Sequence, residues 1–163
     1  MTVVADTSPL CYAILIGCAD LLPALFDRIH IPQAVHAELT APGSPLEVAV
    51  WMRNPPGWLV VESVQGVADL TLARLDPGER ETLQLANQLR ADLVLLDEKA
   101  ARQIASARGV RVTGLLGILS DAASRGIVDL PEAVERLGRT TFRASPAMLR
   151  DLLLRHARRS RES

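Results

Sequence analysis

Two hydrophobic rhythms alternate along this chain. Short, nearly continuous apolar runs stand at residues 2–6 and in "RIHIP", "WLVVESV", "DLVLLD" and "VRVTG". Runs of that length, bounded by turn residues, read as strands, and their lack of polar alternation predicts a mostly parallel sheet covered on both faces. Between them the apolar positions spread to helical spacings of three and four. The first helix is predicted from Ser8 as N-cap and Pro9 in the first helical position to near Gly17. Others follow over about residues 20–26, in "QAVHAEL" behind Pro32, and in "LEVAVWMRN" up to "PPG". The clearest is "LDPGERETLQLANQLRA", with Leu83, Ala86 and Leu89 on one face. "EKAARQIASARG", stopped at Gly109, then "LLGILSDAASRG", "LPEAVERLG" and "SPAMLRDLLLRHARR" complete the set. Strands that alternate with helices imply an α/β sandwich. Residues 1–163 are expected to form a single domain, with a basic helix and tail at about 145–163.

Composition narrows the class. Apolar residues make up 48% and charged residues 23%, as in a soluble globular chain. Aromatics are only 3%, which counts against an extended stacking platform for single-stranded bases. Cys11 and Cys18 stand seven apart, on one helical face with Ile14, and read as buried thiols rather than zinc ligands. Asp6 falls where a signal peptide would be apolar, and Asp20 and Pro23 interrupt the run from Leu10 to Phe26, so no membrane span and a cytoplasmic location are expected.

Charge is unevenly divided. Residues 1–135 hold ten Lys or Arg against seventeen Asp or Glu, a balance of −7. Residues 136–163 hold eight Arg against two acids, a balance of +6. An acidic body with a basic end suggests a polyanionic partner at that end, with a solvated amphipathic helix as the plain alternative.

Parallel sheets bind ligands beyond the carboxyl ends of their strands, and Asp6 and Asp97 both stand at such ends. Each acid also has an ordinary explanation. Asp6 could be a turn residue, but Ser8 already caps the next helix. Asp97 could be the N-cap of "EKAARQI". Glu38 shares or flanks the apolar face of "QAVHAEL" beside Val35 and Leu39, where an unpaired carboxylate is costly. Glu79 fits a capping box with Asp76, behind Pro77. Their shared location is harder to dismiss. Carboxylates crowded into one cleft repel one another, and a divalent ion with oxygen-only ligands, magnesium or manganese, resolves the conflict.

The segments "VVADTSPL", "IPQAVHAEL", "LDPGERETLQLA", "ADLVLLDEKAAR" and "VTGLLGIL", in that order, resemble the PIN domain, and within it a prokaryotic nucleic-acid-binding branch related to the VapC-type toxins. The resemblance spans residues 2–155. It implies a three-layer α/β/α fold and a metal-dependent ribonuclease that hydrolyses RNA phosphodiester bonds. Carried over by motif, the catalytic and metal-binding acids are Asp6, Glu38, Glu79 and Asp97, with Mg2+ or Mn2+ as cofactor. Thr7 or Ser8 matches a hydroxyl residue that positions water or phosphate. Many VapC-type members carry Asp in a later helix where this chain has Glu79 behind a Pro-Gly turn. The resemblance further implies RNA as partner, a possible small antitoxin protein and a homodimer. Arg155, Arg158 and Arg159 at the basic end are the expected contacts to RNA phosphates. The alternative is a catalytically inactive binding or scaffold protein on the same fold. A haloacid-dehalogenase reaction is disfavoured because Ser8 stands where that chemistry needs a second Asp. Dinucleotide binding is disfavoured because no glycine-rich loop follows the first strand.

Overall fold

The computed structural model describes residues 1–162. Five strands, β1 (Val3–Ala5), β2 (Ile29–Pro32), β3 (Leu59–Glu62), β4 (Leu93–Leu95) and β5 (Val112–Thr113), form one all-parallel sheet in the order β3-β2-β1-β4-β5. Val3, Val4 and Ala5 pair with Leu93, Val94 and Leu95, so the two central strands end level with each other.

Nine helices flank the sheet among the described residues. They are α1 (Thr7–Leu15), α2 (Leu21–Phe26), α3 (Gln33–Thr40), α4 (Leu46–Trp51), α5 (Pro77–Leu89), α6 (Lys99–Ala107), α7 (Leu115–Ser124), α8 (Leu130–Gly138) and α9 (Pro146–Glu162). Every expected strand and helix is present. A single 3-10 turn at Leu70–Leu72 was not signalled by periodicity. The strands' alternation divides the core in two. Val3, Ala5, Ile29, Ile31, Leu93 and Leu95 pack with α1, α7 and α8. Val4, Val94 and Leu96 pack with Leu83, Leu85 and Ala86 of α5 and with Ala101 and Ala105 of α6. The result is a three-layer α/β/α sandwich. Both faces are buried, which is why the strands carry unbroken apolar runs.

Three local expectations are corrected. The first helix begins at Thr7, so Asp6 and not Ser8 occupies the N-cap position. Asp97 does not cap the helix behind it, because Glu98 is the N-cap of α6. Cys18 does not share a helical face with Cys11, since α1 ends at Leu15 and the chain turns at Gly17; both thiols are only partly buried. At the basic end, Leu152 of α9 is buried in the chain's own core, with Leu149 and Leu153 packed beside it. Among the described residues no helix is long and apolar enough to cross a membrane.

Candidate active site

The sheet order reverses between β1 and β4. Crossovers leave the two strands in opposite directions there, which opens a crevice at their carboxyl ends. Asp6 follows β1 directly, and Asp97 stands two residues beyond the end of β4. The Asp6 amide bonds the Leu95 carbonyl at 2.9 Å and ties the two strand ends together. A cavity of about 680 Å³ opens at this point. Asp6, Glu38, Glu79 and Asp97 all line it, together with Thr7 and Ser8.

Asp6 is only 6% exposed. Its position is that of an N-cap, but its side chain makes no capping bond. The hydroxyl of the fully buried Thr82 on α5 lies 3.4 Å from it. The same hydroxyl is 2.7 Å from the Gly78 carbonyl, and one hydroxyl has one proton to donate. Asp6 is therefore a buried carboxylate held by one long hydroxyl contact and by the Thr7 backbone N–H. Burial, opposed by the Thr7 backbone N–H and reinforced by the charges of Asp76, Glu38 and Glu79, pushes its pKa up to about 7.

Glu79 does both jobs that its position suggests. Its backbone N–H donates to the Asp76 carboxylate at 2.8 Å, and its own carboxylate accepts the Asp76 N–H at 3.1 Å, completing a capping box at the start of α5. The same side chain faces the cavity. Burial, against the bond from the Asp76 N–H, raises its pKa to about 7.

The two hydroxyls after Asp6 each hold another acid. Thr7 donates to the exposed Glu38, which comes from α3. Ser8 donates to Asp97 at 2.9 Å. Ser8 is free for this because the helix starts two residues earlier than its cap chemistry suggests. The other Asp97 oxygen accepts the Leu115 N–H at 2.8 Å, so Asp97 satisfies an orphan donor at the start of α7, the helix after the neighbouring strand. Burial raises the Asp97 pKa, and Leu115, Ser8 and the Arg102 charge oppose the rise.

Two glycines make the arrangement sterically possible. A Cβ on Gly78 would lie 2.5 Å from a Glu38 carboxylate oxygen. A Cβ on Gly114 would lie 2.6 Å from Asp97 Oδ1 and 3.0 Å from Arg102 Nη1. Both acids occupy space that any other residue would fill.

Among the described residues, no three His, Cys, Asp or Glu side chains converge closely enough to make a ready-made ion site. Most of the acids instead engage hydroxyl or backbone donors. The donor set itself suits a hard divalent cation: carboxylates and hydroxyls supply only oxygen, and the charges that act on the buried Asp6 are all negative.

Sequence reasoning missed part of the lining. Arg102, Gly114 and the segment Thr141, Phe142 and Arg143 all border the cavity, as do Cys11 and Tyr12. Gly114 was the findable member, since it follows a strand at the same sheet edge. Arg143 stood out only as part of the basic stretch 136–163, because packing between α1 and the segment before α9 is what brings it to the cavity. Arg155, Arg158 and Arg159 lie outside the cavity lining. They stand on α9 beyond Met148, its one residue in that lining, by about 10 to 16 Å along the helix axis. Arg155 is ion-paired with Asp151 at 3.1 Å.

A family model described as a PIN domain matches residues 2–158. No curated protein and no solved structure matches the chain.

Proposed function

Because this chain belongs to the PIN-domain family, whose members are generally nucleases, we propose that it is a magnesium- or manganese-dependent endoribonuclease. The observation that carries the reading is Asp6: a buried carboxylate with no cationic partner among the described residues, in a cavity also lined by Glu38, Glu79 and Asp97 from separate segments, with Asp76 and Glu98 beside them. Asp6, Glu38, Glu79 and Asp97 would hold the ion. A bound divalent ion supplies Lewis acidity for a water nucleophile and for charge that develops on a phosphodiester.

The chain's own residues do the positioning. Thr7 and Ser8 orient Glu38 and Asp97, and the capping box fixes Glu79 relative to the helix axis. Thr7 and Ser8 are also near enough to the cavity to meet substrate. Arg155, Arg158 and Arg159 would extend the RNA path along α9, away from the acids.

The test combines binding with chemistry. Manganese at about 100 times its dissociation constant should add roughly 2.7 kcal/mol to wild-type stability by linkage. It should also support cleavage of single-stranded RNA. Asp6→Asn and Asp97→Asn should remove both effects and leave the fold intact. A wild-type melting midpoint that does not respond to manganese, together with no cleavage, would leave the inactive scaffold as the better reading.

The similarity to VapC-type toxins supports a finer proposal, in which the nuclease is the toxin of a toxin–antitoxin pair. A small antitoxin would insert a segment near the acidic cleft, and the toxin would act as a homodimer. A short partner reading frame next to this gene is the expected finding. A protein isolated with no such neighbour would leave the nuclease reading standing and remove the toxin one.

A further inference from the structure

The sequence concentrates basic charge in residues 136–163, yet the two arginines that reach the cavity are not those of α9: Arg102 belongs to the acidic body, and Arg143 precedes the last helix. Arg102 comes from the first turn of α6, and Arg143 from the segment between α8 and α9. Both are exposed, and neither forms an ion pair or donates a side-chain hydrogen bond among the described residues. Each therefore offers guanidinium N–H donors, five to a side chain, that no acceptor among the described residues engages.

Their placement is determined by the fold. Arg102 and Asp97 approach the same point beside Gly114 without pairing. Arg143 follows two residues that pin its segment to α1. The Thr141 and Tyr12 hydroxyls are hydrogen-bonded at 2.8 Å, and the Phe142 ring meets Tyr12 edge-on at 5.1 Å. The cavity lining therefore carries both signs of charge, with Arg102 beside Asp97. Asp6 follows β1, and Glu38 and Glu79 come from α3 and α5, which pack over β2 and, for α5, also over β1. Arg102 comes from α6, which packs toward β5.

Given the ribonuclease reading, on which this step rests, we infer that Arg102 and Arg143 hold backbone phosphates of the RNA beside the phosphodiester that faces the acids. An acidic wall by itself repels a polyanion. Guanidinium groups grip phosphate oxygens in bidentate fashion, and an arginine without an ion pair does so without breaking one. Arg155 differs, because its guanidinium is in direct contact with Asp151 at 3.1 Å, whereas Arg102 acts on Asp97 through its charge alone.

The test uses the full chain and a labelled single-stranded RNA. In an Asp6→Asn background, where the RNA survives, binding is followed against salt concentration. Arg102→Gln and Arg143→Gln should each weaken binding roughly tenfold, the loss of a charged hydrogen bond. Each should also lower the salt slope by about 0.7. Arg102→Lys and Arg143→Lys should keep the slope, because a point charge still displaces the counterion. In the otherwise wild-type chain with manganese, the Gln variants should raise KM for cleavage by about tenfold and leave kcat nearly unchanged, the mark of lost ground-state binding. Unchanged KM in a chain that still cleaves RNA would overturn the inference and spare the ribonuclease reading. A fall in kcat alone for Arg102→Gln would also overturn it for Arg102, since that residue would then act only on Asp97. A wild type that neither binds nor cleaves RNA would overturn both.

Discussion

At the scale of single residues, Asp6 carries the sharpest consequence. Its folded pKa of about 7 lies above the ordinary value of 3.8, so the native state binds a proton that the unfolded chain releases. The stability this contributes is fully present below about pH 4 and is lost as pH rises through 7. Glu79, raised from 4.5 to about 7, acts with the same sign. In chelator, the melting temperature of the wild type should therefore fall between pH 5 and pH 8, and Asp6→Asn should flatten part of that fall. An Asp6→Asn variant with an unaltered pH profile would mean that the burial of this charge costs nothing. Gly114→Ala tests the opposite kind of constraint. Its backbone, at φ −101° and ψ −176°, suits any residue, so the fold should survive. The new Cβ would stand 2.6 Å from Asp97 Oδ1, and cleavage should be lost through displacement of that carboxylate.

Among the elements, α5 and α9 are the informative ones. The start of α5 combines a stabilising device with a candidate ligand in one side chain. Two substitutions separate the roles. Asp76→Ala removes the N-cap and should cost about 0.5–2 kcal/mol in a denaturant titration. Glu79→Gln can still accept the Asp76 N–H, so its stability should stay close to the wild type while manganese binding weakens. If Glu79→Gln retains full cleavage at saturating manganese, Glu79 is a cap alone. The apolar face of α9 could equally have been a dimer contact when read as a sequence. Leu152, 7% exposed within the single chain, shows that this face is already covered. Leu152→Ala should cost about 2–5 kcal/mol, as a large-to-small change in a core does. A melting temperature equal to the wild type's would mean that α9 docks loosely.

For the whole molecule, the division between an acidic body and a basic end can be measured directly. Neutralising Arg155, Arg158 and Arg159 together should flatten the salt dependence of RNA binding and leave the manganese-induced melting shift unaltered. Light scattering on the same variant checks the proposed homodimer. Loss of a dimer with an unchanged salt slope would assign these arginines to a subunit interface instead. The two sets of arginines then make distinct predictions: Arg102 and Arg143 act at the cavity, where KM reports them, and the α9 set acts at a distance.

The sequence by itself determined the order and type of every strand and α-helix among the described residues, because apolar periodicity is a local property that survives without knowledge of partners. It also determined the parallel class of the sheet, since strands buried on both faces need continuous apolar runs such as "LVLL". The four acids were legible as positions, two at strand ends and two on helices. What they do to one another was not. The order β3-β2-β1-β4-β5, and with it the crevice between Asp6 and Asp97, depends on pairings between residues some ninety positions apart. The helix start at Thr7 was decided in the same way. Ser8 has good capping chemistry, yet its hydroxyl bonds to Asp97, a residue that no local pattern places beside it. Arg102 and Arg143 reach the cavity only because α6 and the segment before α9 fold over it. Local propensity sets which elements form; long-range packing sets which side chains meet, and the chemistry belongs to the side chains that meet.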